Sequence, residues 1–183
     1  SVTIGLYLFS MGMGAFFIGG KLSFPWKKLW KTEIALTLIG AFSLPGFFLI
    51  DHFIASRLVF ILWAHGMIIL IGFLTGFELP LILEIVKGRK GAWRSRVIAA
   101  DYAGAFGGTL VFAFFFYPTA GLVASGLWIA FLNGLAGCLV LQQGRERSWS
   151  AYFVQGAVLA VIVLGLLLSG RGENFLINHF YLG

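Results

Sequence analysis

The chain has 183 residues, 60% of them hydrophobic and 11% charged, with a mean hydropathy of +0.95, whereas an ordinary soluble domain carries about 25% charged residues. This composition excludes a water-soluble globular protein. Lys and Arg number 13 against 7 acids, a formal charge of +6, and in so apolar a chain the excess reads as membrane topology and not as a nucleic-acid partner. Cys138 is the single cysteine, so neither an internal disulfide nor a cysteine zinc site is expected.

A helix needs about 20 mostly apolar residues to cross a hydrocarbon core of ~30 Å, and its backbone groups must be bonded within it. Six stretches meet this condition: Val2 to Gly20, Thr32 to Ile50, Leu58 to Val86, Val97 to Phe116, Gly121 to Leu141 and Ala151 to Ser169. The expected fold is therefore all-α, a polytopic membrane bundle of about six helices in one domain. Span three is the longest and holds Glu78 and Pro80, so a tilt, a kink or an early end is expected there. Around Tyr117, Pro118 and Thr119 only a tight hairpin fits, and the spans are expected to pack as consecutive antiparallel neighbours.

Lys and Arg in short loops orient such a bundle. Lys21, Lys27, Lys28 and Lys31 come after span one; Lys87, Arg89, Lys90, Arg94 and Arg96 after span three; Arg145 and Arg147 after span five. Only Arg57 and Arg171 fall on the other side. The loops after spans one, three and five are thus expected in the cytoplasm, in a cell inner membrane, with anionic lipid headgroups as their partners. Small residues four apart predict close helix contacts at Gly72 and Gly76, at Gly104 and Gly108, and at Gly126, Ala130 and Gly134.

A carboxylate inside a span costs on the order of 2.5–3.5 kcal/mol at the centre, so Glu33, Glu78, Glu84 and Asp101 need a reason. Glu78 lies about 13 Å inside Lys87 at ~1.5 Å per residue, and Asp101 about 8 Å past Arg96. Two readings are open: a cytoplasm-facing acidic pocket for a cation, a proton or an amine, or pairing with Lys87, Arg94 and Arg96 that pins the hairpin at the interface. Pairing is the simpler reading for Glu33, Glu84 and Asp101. Glu78 stands evenly between the two, being deepest and next but one to Pro80, whose missing N–H frees a carbonyl. His65 is in span three, but His52 and His179 lie outside the spans, so no haem pair is expected and His65 reads as hydrogen-bonded to a neighbour. Asn133 reads as a bond between helices. No P-loop, HExxH or GxSxG occurs, and neither a catalytic residue, a metal ligand nor a cofactor is assigned to this chain.

The strings SVTIGLYLFSMGMGAF, TEIALTLIGAFS, GFLTGFELPLILEIV, SRVIAADYAGAFGGTLVFAFFFYPTAGL and NGLAG resemble the multi-pass membrane region of spermidine synthase-like proteins, most specifically in GFELP and ADYAGA. Glu78 with Pro80, and Asp101 and Tyr102 with Gly104 and Ala105, match that pattern. The resemblance implies a downstream soluble polyamine aminopropyltransferase domain, which transfers an aminopropyl group from decarboxylated S-adenosylmethionine to a diamine. None of that domain's motifs is present, and the chain reads as an excerpt of a longer protein. The expected function is to anchor or serve such a domain. The alternatives are an amine or cation transport module and a non-catalytic subunit held among other membrane subunits. One conflict accompanies the charge count: it leads the chain end at Gly183 outside, whereas an enzyme using a cytosolic nucleoside belongs inside.

Overall fold

The computed structural model describes residues 2–19, 23–54, 56–89, 91–144 and 148–180, without the side chains of 48, 51, 52 and 170–180. The elements are α1 (Val2–Gly19), α2 (Pro25–Ile54), α3 (Arg57–Ile85), α4 (Trp93–Val111), a π-helical stretch (Phe112–Phe116), α5 (Tyr117–Gln143) and α6 (Trp149–Phe180). No strand occurs among the described residues, in keeping with the all-α expectation. Four runs are long and apolar enough to cross a membrane: Val2–Gly19, Arg57–Ile85, Trp93–Gln143 and Trp149–Ser169. α2 starts at Pro25, well before the expected Thr32, because proline suits a first helical turn whose N–H needs no partner. α3 passes through Pro80 unbroken and ends at Ile85.

The expectation of six separate spans is corrected at spans four and five. α4, the π-helical stretch and α5 form one 51-residue helical run, so the described residues make five continuous helices. The loop expected at Tyr117, Pro118 and Thr119 is helical. Pro118 occupies the first turn of α5, where its absent N–H breaks little, and the preceding wider register lets Tyr117 N–H reach the Phe112 carbonyl. The break in direction falls instead on Gly121, at φ 75° and ψ −179°, a conformation that a Cβ would oppose. Hydroxyls serve the carbonyls around it: Thr119 Oγ1 donates to Phe115 O and Ser125 Oγ to Gly121 O.

The packing order also departs from consecutive neighbours. Among the described residues α1 packs its backbone on α3 and touches α2 only through the side-chain core at Ile18, and α4 meets α3 and the π-helical stretch alone. Gly72 lies against Tyr7 and Ser10, and Gly76 against Met11 and Ala15, so α1 and α3 run parallel. α2 is antiparallel to both of its larger partners. Toward α3, Gly46 meets Trp63, while Leu29 shares a core with Leu81 and Ile18. Toward α5, Leu44 meets Gly126 and Thr37 meets Asn133. Gln155 against Gly137 and Leu159 against Gly134 make α5 and α6 antiparallel. A second apolar core joins Ala41, Ala130, Val158 and Ile162 across α2, α5 and α6.

These directions gather the ends of α1, α3 and α5 with the starts of α2, α4 and α6. Trp26 lies 3.6 Å from where a Cβ on Gly144 would stand, and shares a cavity with Arg89 and Gln143. Lys27, Lys28, Lys31, Lys87, Arg89, Arg94 and Arg96 therefore belong to one end of the bundle, and Arg57 to the other. Lys21, Lys90, Arg145, Arg147, Arg171, His52 and His179 lie outside the described residues or side chains.

A methyl group added at Gly72 or Gly76 would meet Ser10 Oγ or the Met11 carbonyl; one at Gly126 or Gly134 would meet Leu44 or Leu159 at 2.6 Å. The contacts expected at Gly104 and Gly108 are not formed among the described residues: no neighbouring atom lies within 4 Å of where a Cβ on either would stand, and α4 buries no residue. The reason is the stand-off of α4 from α5, which removes the partner surface. Gly76→Leu is expected to destabilise the protein by about 2–3 kcal/mol or more, since backbone blocks the new side chain, whereas Gly108→Leu stays within about 0.5 kcal/mol. Thermal unfolding of the two variants in detergent checks the contrast.

Candidate functional site

The apolar helices contain few polar side chains; of the buried ones Ser10, Thr32 and Ser125 bond to carbonyls of their own helices, whereas Thr37 and Gln155 find partners across helix boundaries. Asn133 on α5 donates through Nδ2 to the Glu33 carbonyl at 3.0 Å and to Thr37 Oγ1 at 3.1 Å, both on α2. Gln155 on α6 accepts from Trp30 Nε1 at 3.0 Å and donates to the Gly134 carbonyl at 2.6 Å. It is 2% exposed, and Thr37 is fully buried. One polar seam thus ties α2, α5 and α6 at the level of Glu33. Asn133 is the bond between helices that the sequence suggests. Gln155 is missed by sequence reasoning, although a lone amide in an apolar span carries the same signal.

The four acids divide by environment. Glu84 pairs with Lys87 at 3.1 Å, three residues on in the turn just past the end of α3, and both are partly exposed. The remaining pairing expected of Arg94 and Arg96 is not formed among the described residues; Arg96 lies 5.6 Å over the Trp93 ring, and Arg89 lies 5.2 Å over it. Arg89 and Arg96 are held by an indole face instead of a carboxylate. Glu33 is 7% exposed, and its Oε2 is buried without a hydrogen-bond partner. Glu78 is partly buried on α3, and the α2/α3 register that sets Leu29 beside Leu81 brings it level with Glu33. Glu78 is within coulombic range of both Glu33 and Asp101. Asp101 itself is exposed on the unpacked α4.

Glu33 and Asp101, on α2 and α4, thus each fall within charge range of Glu78 on α3, and Glu84 is apart with its lysine. No group of three His, Cys, Asp or Glu among the described residues is arranged to hold a metal ion. His65 has its Nδ1 at 2.8 Å from the Ile61 carbonyl one turn back, a bond within its own helix that takes it out of the acidic group. The arrangement sets two carboxyl groups, Glu33 and Glu78, among apolar helices, with one carboxyl oxygen of Glu33 unmet.

Comparison with known proteins places this region. Over 185 residues the chain is 32% identical to a polyamine aminopropyltransferase of Leptospira interrogans, covering 98% of this chain and 36% of that protein. Over 188 residues it is 30% identical to one of Oceanobacillus iheyensis, covering 96% and 35%. It is similar to one region of polyamine aminopropyltransferases. A third relative, the polyamine aminopropyltransferase of Corynebacterium efficiens, is 28% identical over 92% of the chain and 34% of its own length. The chain thus spans about a third of the length of these relatives. No family model and no solved structure matches it. The resemblance read from GFELP and ADYAGA is supported across nearly the whole chain.

The polar seam is open to test. Gln155→Leu removes two bonds between helices, each worth about 0.6 kcal/mol on average and up to ~1.7 in a membrane bundle. A loss of about 1–3 kcal/mol is expected in an unfolding titration, whereas Thr75→Val, which loses only a bond to its own helix at Ile71, changes little.

Proposed function

We propose that this chain is the membrane domain of a spermidine synthase-like protein, anchoring or serving an aminopropyltransferase domain that lies elsewhere in the full protein. The observation that carries the reading is the pattern of coverage. The match takes in 98% of this chain but 36% of the Leptospira relative, and the matched part is a set of long apolar helices with no catalytic motif. The basic end, with its lysines, arginines and tryptophans, faces the cytoplasm of an inner membrane under the positive-inside rule. The chemistry of the whole protein is then aminopropyl transfer to a diamine, performed by residues outside this chain.

The test uses the full-length gene product. Aminopropyl transfer from decarboxylated S-adenosylmethionine to putrescine is assayed in membranes washed at alkaline pH. Activity that stays with the membrane pellet is expected. Activity released into the supernatant contradicts the anchor, and no activity in either fraction contradicts the transferase reading.

A second reading is favoured by one observation, the unpartnered Glu33 carboxylate oxygen at the level of Glu78. Here the acids Glu33, Glu78 and Asp101 receive a cation or an amine, as intramembrane carboxylates without a protein partner commonly do. Uptake of labelled putrescine into proteoliposomes is expected to fall about tenfold or more in Glu33→Gln and Glu78→Gln if this holds. Unchanged flux in both variants removes the second reading.

A further inference from the structure

Glu33 is 7% exposed on α2, which α3 and α5 hold from both sides. Its carboxyl has the Asn133 amide as a hydrogen-bond neighbour, and still Oε2 is enclosed with no partner. The charged and titratable groups around it are few. α3 presents Glu78, and α4 presents Asp101 within charge range of Glu78. At this level α5 and α6 contribute the uncharged amides of Asn133 and Gln155. On α2 itself Lys31 is exposed two residues earlier, and Lys28 lies further back toward the basic end. Exposure falls along the three acids: Asp101 is exposed on a helix that buries nothing, Glu78 is partly buried, and Glu33 is enclosed. A carboxylate shut among apolar helices with one oxygen unmet is costly, and a bound proton removes its charge. An enclosed oxygen also admits a proton and nothing larger unless the helices part.

We propose that Glu33 is a proton-binding site, loaded through Glu78 from Asp101 at the open flank of α4. Each transfer breaks one O–H bond on the donor carboxyl and forms one on the acceptor carboxylate, directly or through a single water. Water at Asp101 supplies the proton and takes it back. Rows of acids within a membrane serve as relays of this kind. The row ends blind at Glu33, whose own backbone carbonyl takes the Asn133 amide. Loading therefore changes the charge at the joint between α2 and α5. Glu84 is outside the row, being paired with Lys87. The inference rests on the membrane reading above and goes beyond it by naming the occupant of Glu33 and its route.

The test reconstitutes the full chain in phosphatidylcholine bilayers and follows its protonated carboxyl bands by infrared difference spectroscopy on transfer to heavy water at neutral pH. A slowly exchanging band is expected that shifts when the glutamate carboxyls are isotope-labelled and is lost in Glu33→Gln. Asp101→Asn keeps this band but slows its deuterium exchange about tenfold or more, whereas Glu84→Gln leaves the rate unchanged. Absence of a glutamate-derived band in the unaltered protein overturns the proposal, whether or not the glutamine variant folds. An unchanged rate in Asp101→Asn, or equal slowing in Glu84→Gln, overturns the route. Loss of the band on adding putrescine also overturns the proposal, since the occupant of Glu33 is then the amine, and a band that persists supports the proton. Failure of the chain to enter the bilayer is a separate outcome that rejects the membrane reading itself along with the site.

Discussion

The architecture depends on how helices this apolar, four runs of them long and apolar enough to cross a membrane, find one another. Where the surroundings are as apolar as the side chains, burial of hydrocarbon gives little preference for a neighbour, and close backbone approach and bonds between helices decide the partners. The α1/α3 pair is built on the first of these: Gly14, Gly72 and Gly76 let backbone lie where any side chain would collide. The α2/α5/α6 group is built on the second as well as the first, through Asn133 and Gln155 over Gly134 and Gly137. α2 joins the two groups through Leu29, Leu81 and Gly46.

α4 is the helix for which neither device has a partner. It carries Gly104, Gly107 and Gly108, yet nothing stands within 4 Å of where a side chain on them would begin. The helical run turns at Gly121, after α4 and the π-helical stretch, and the chain rejoins the bundle only with α5. Asp101 is consequently exposed on this helix, while Glu33, on a helix held from both sides, is enclosed.

Much of this is legible in the residues. The first and third expected spans coincide with α1 and α3 to within about one residue at each end, because a long apolar run in a chain this poor in charge has little alternative to a helix. The basic residues Lys27, Lys28, Arg89, Arg94 and Arg96 point to a shared end, and the packed helices bring their segments together. Two things escape the sequence. The order of packing depends on which glycine faces which backbone, and spacing alone cannot tell the Gly72 and Gly76 pair, which is occupied, from the Gly104 and Gly108 pair, which is open. The turn at Gly121 is hidden by Pro118, which looks like the breaker although a proline in a first helical turn breaks nothing. Of the site, the acids and Asn133 are visible as polar residues in apolar spans; the partners of Gln155 emerge only once α2 and α6 are side by side.

The central claim is a bilayer-crossing bundle with its basic connections in one compartment. In a Cys138→Ser background, single cysteines at Lys28, Arg94 and Ser148 are labelled in intact cells with a membrane-impermeant maleimide, alongside one at Arg57. The account predicts labelling at Arg57 alone, with the other three reacting only after the membrane is opened. Labelling of Lys28 and Arg94 from opposite sides, or equal labelling of all four in a soluble fraction, contradicts it.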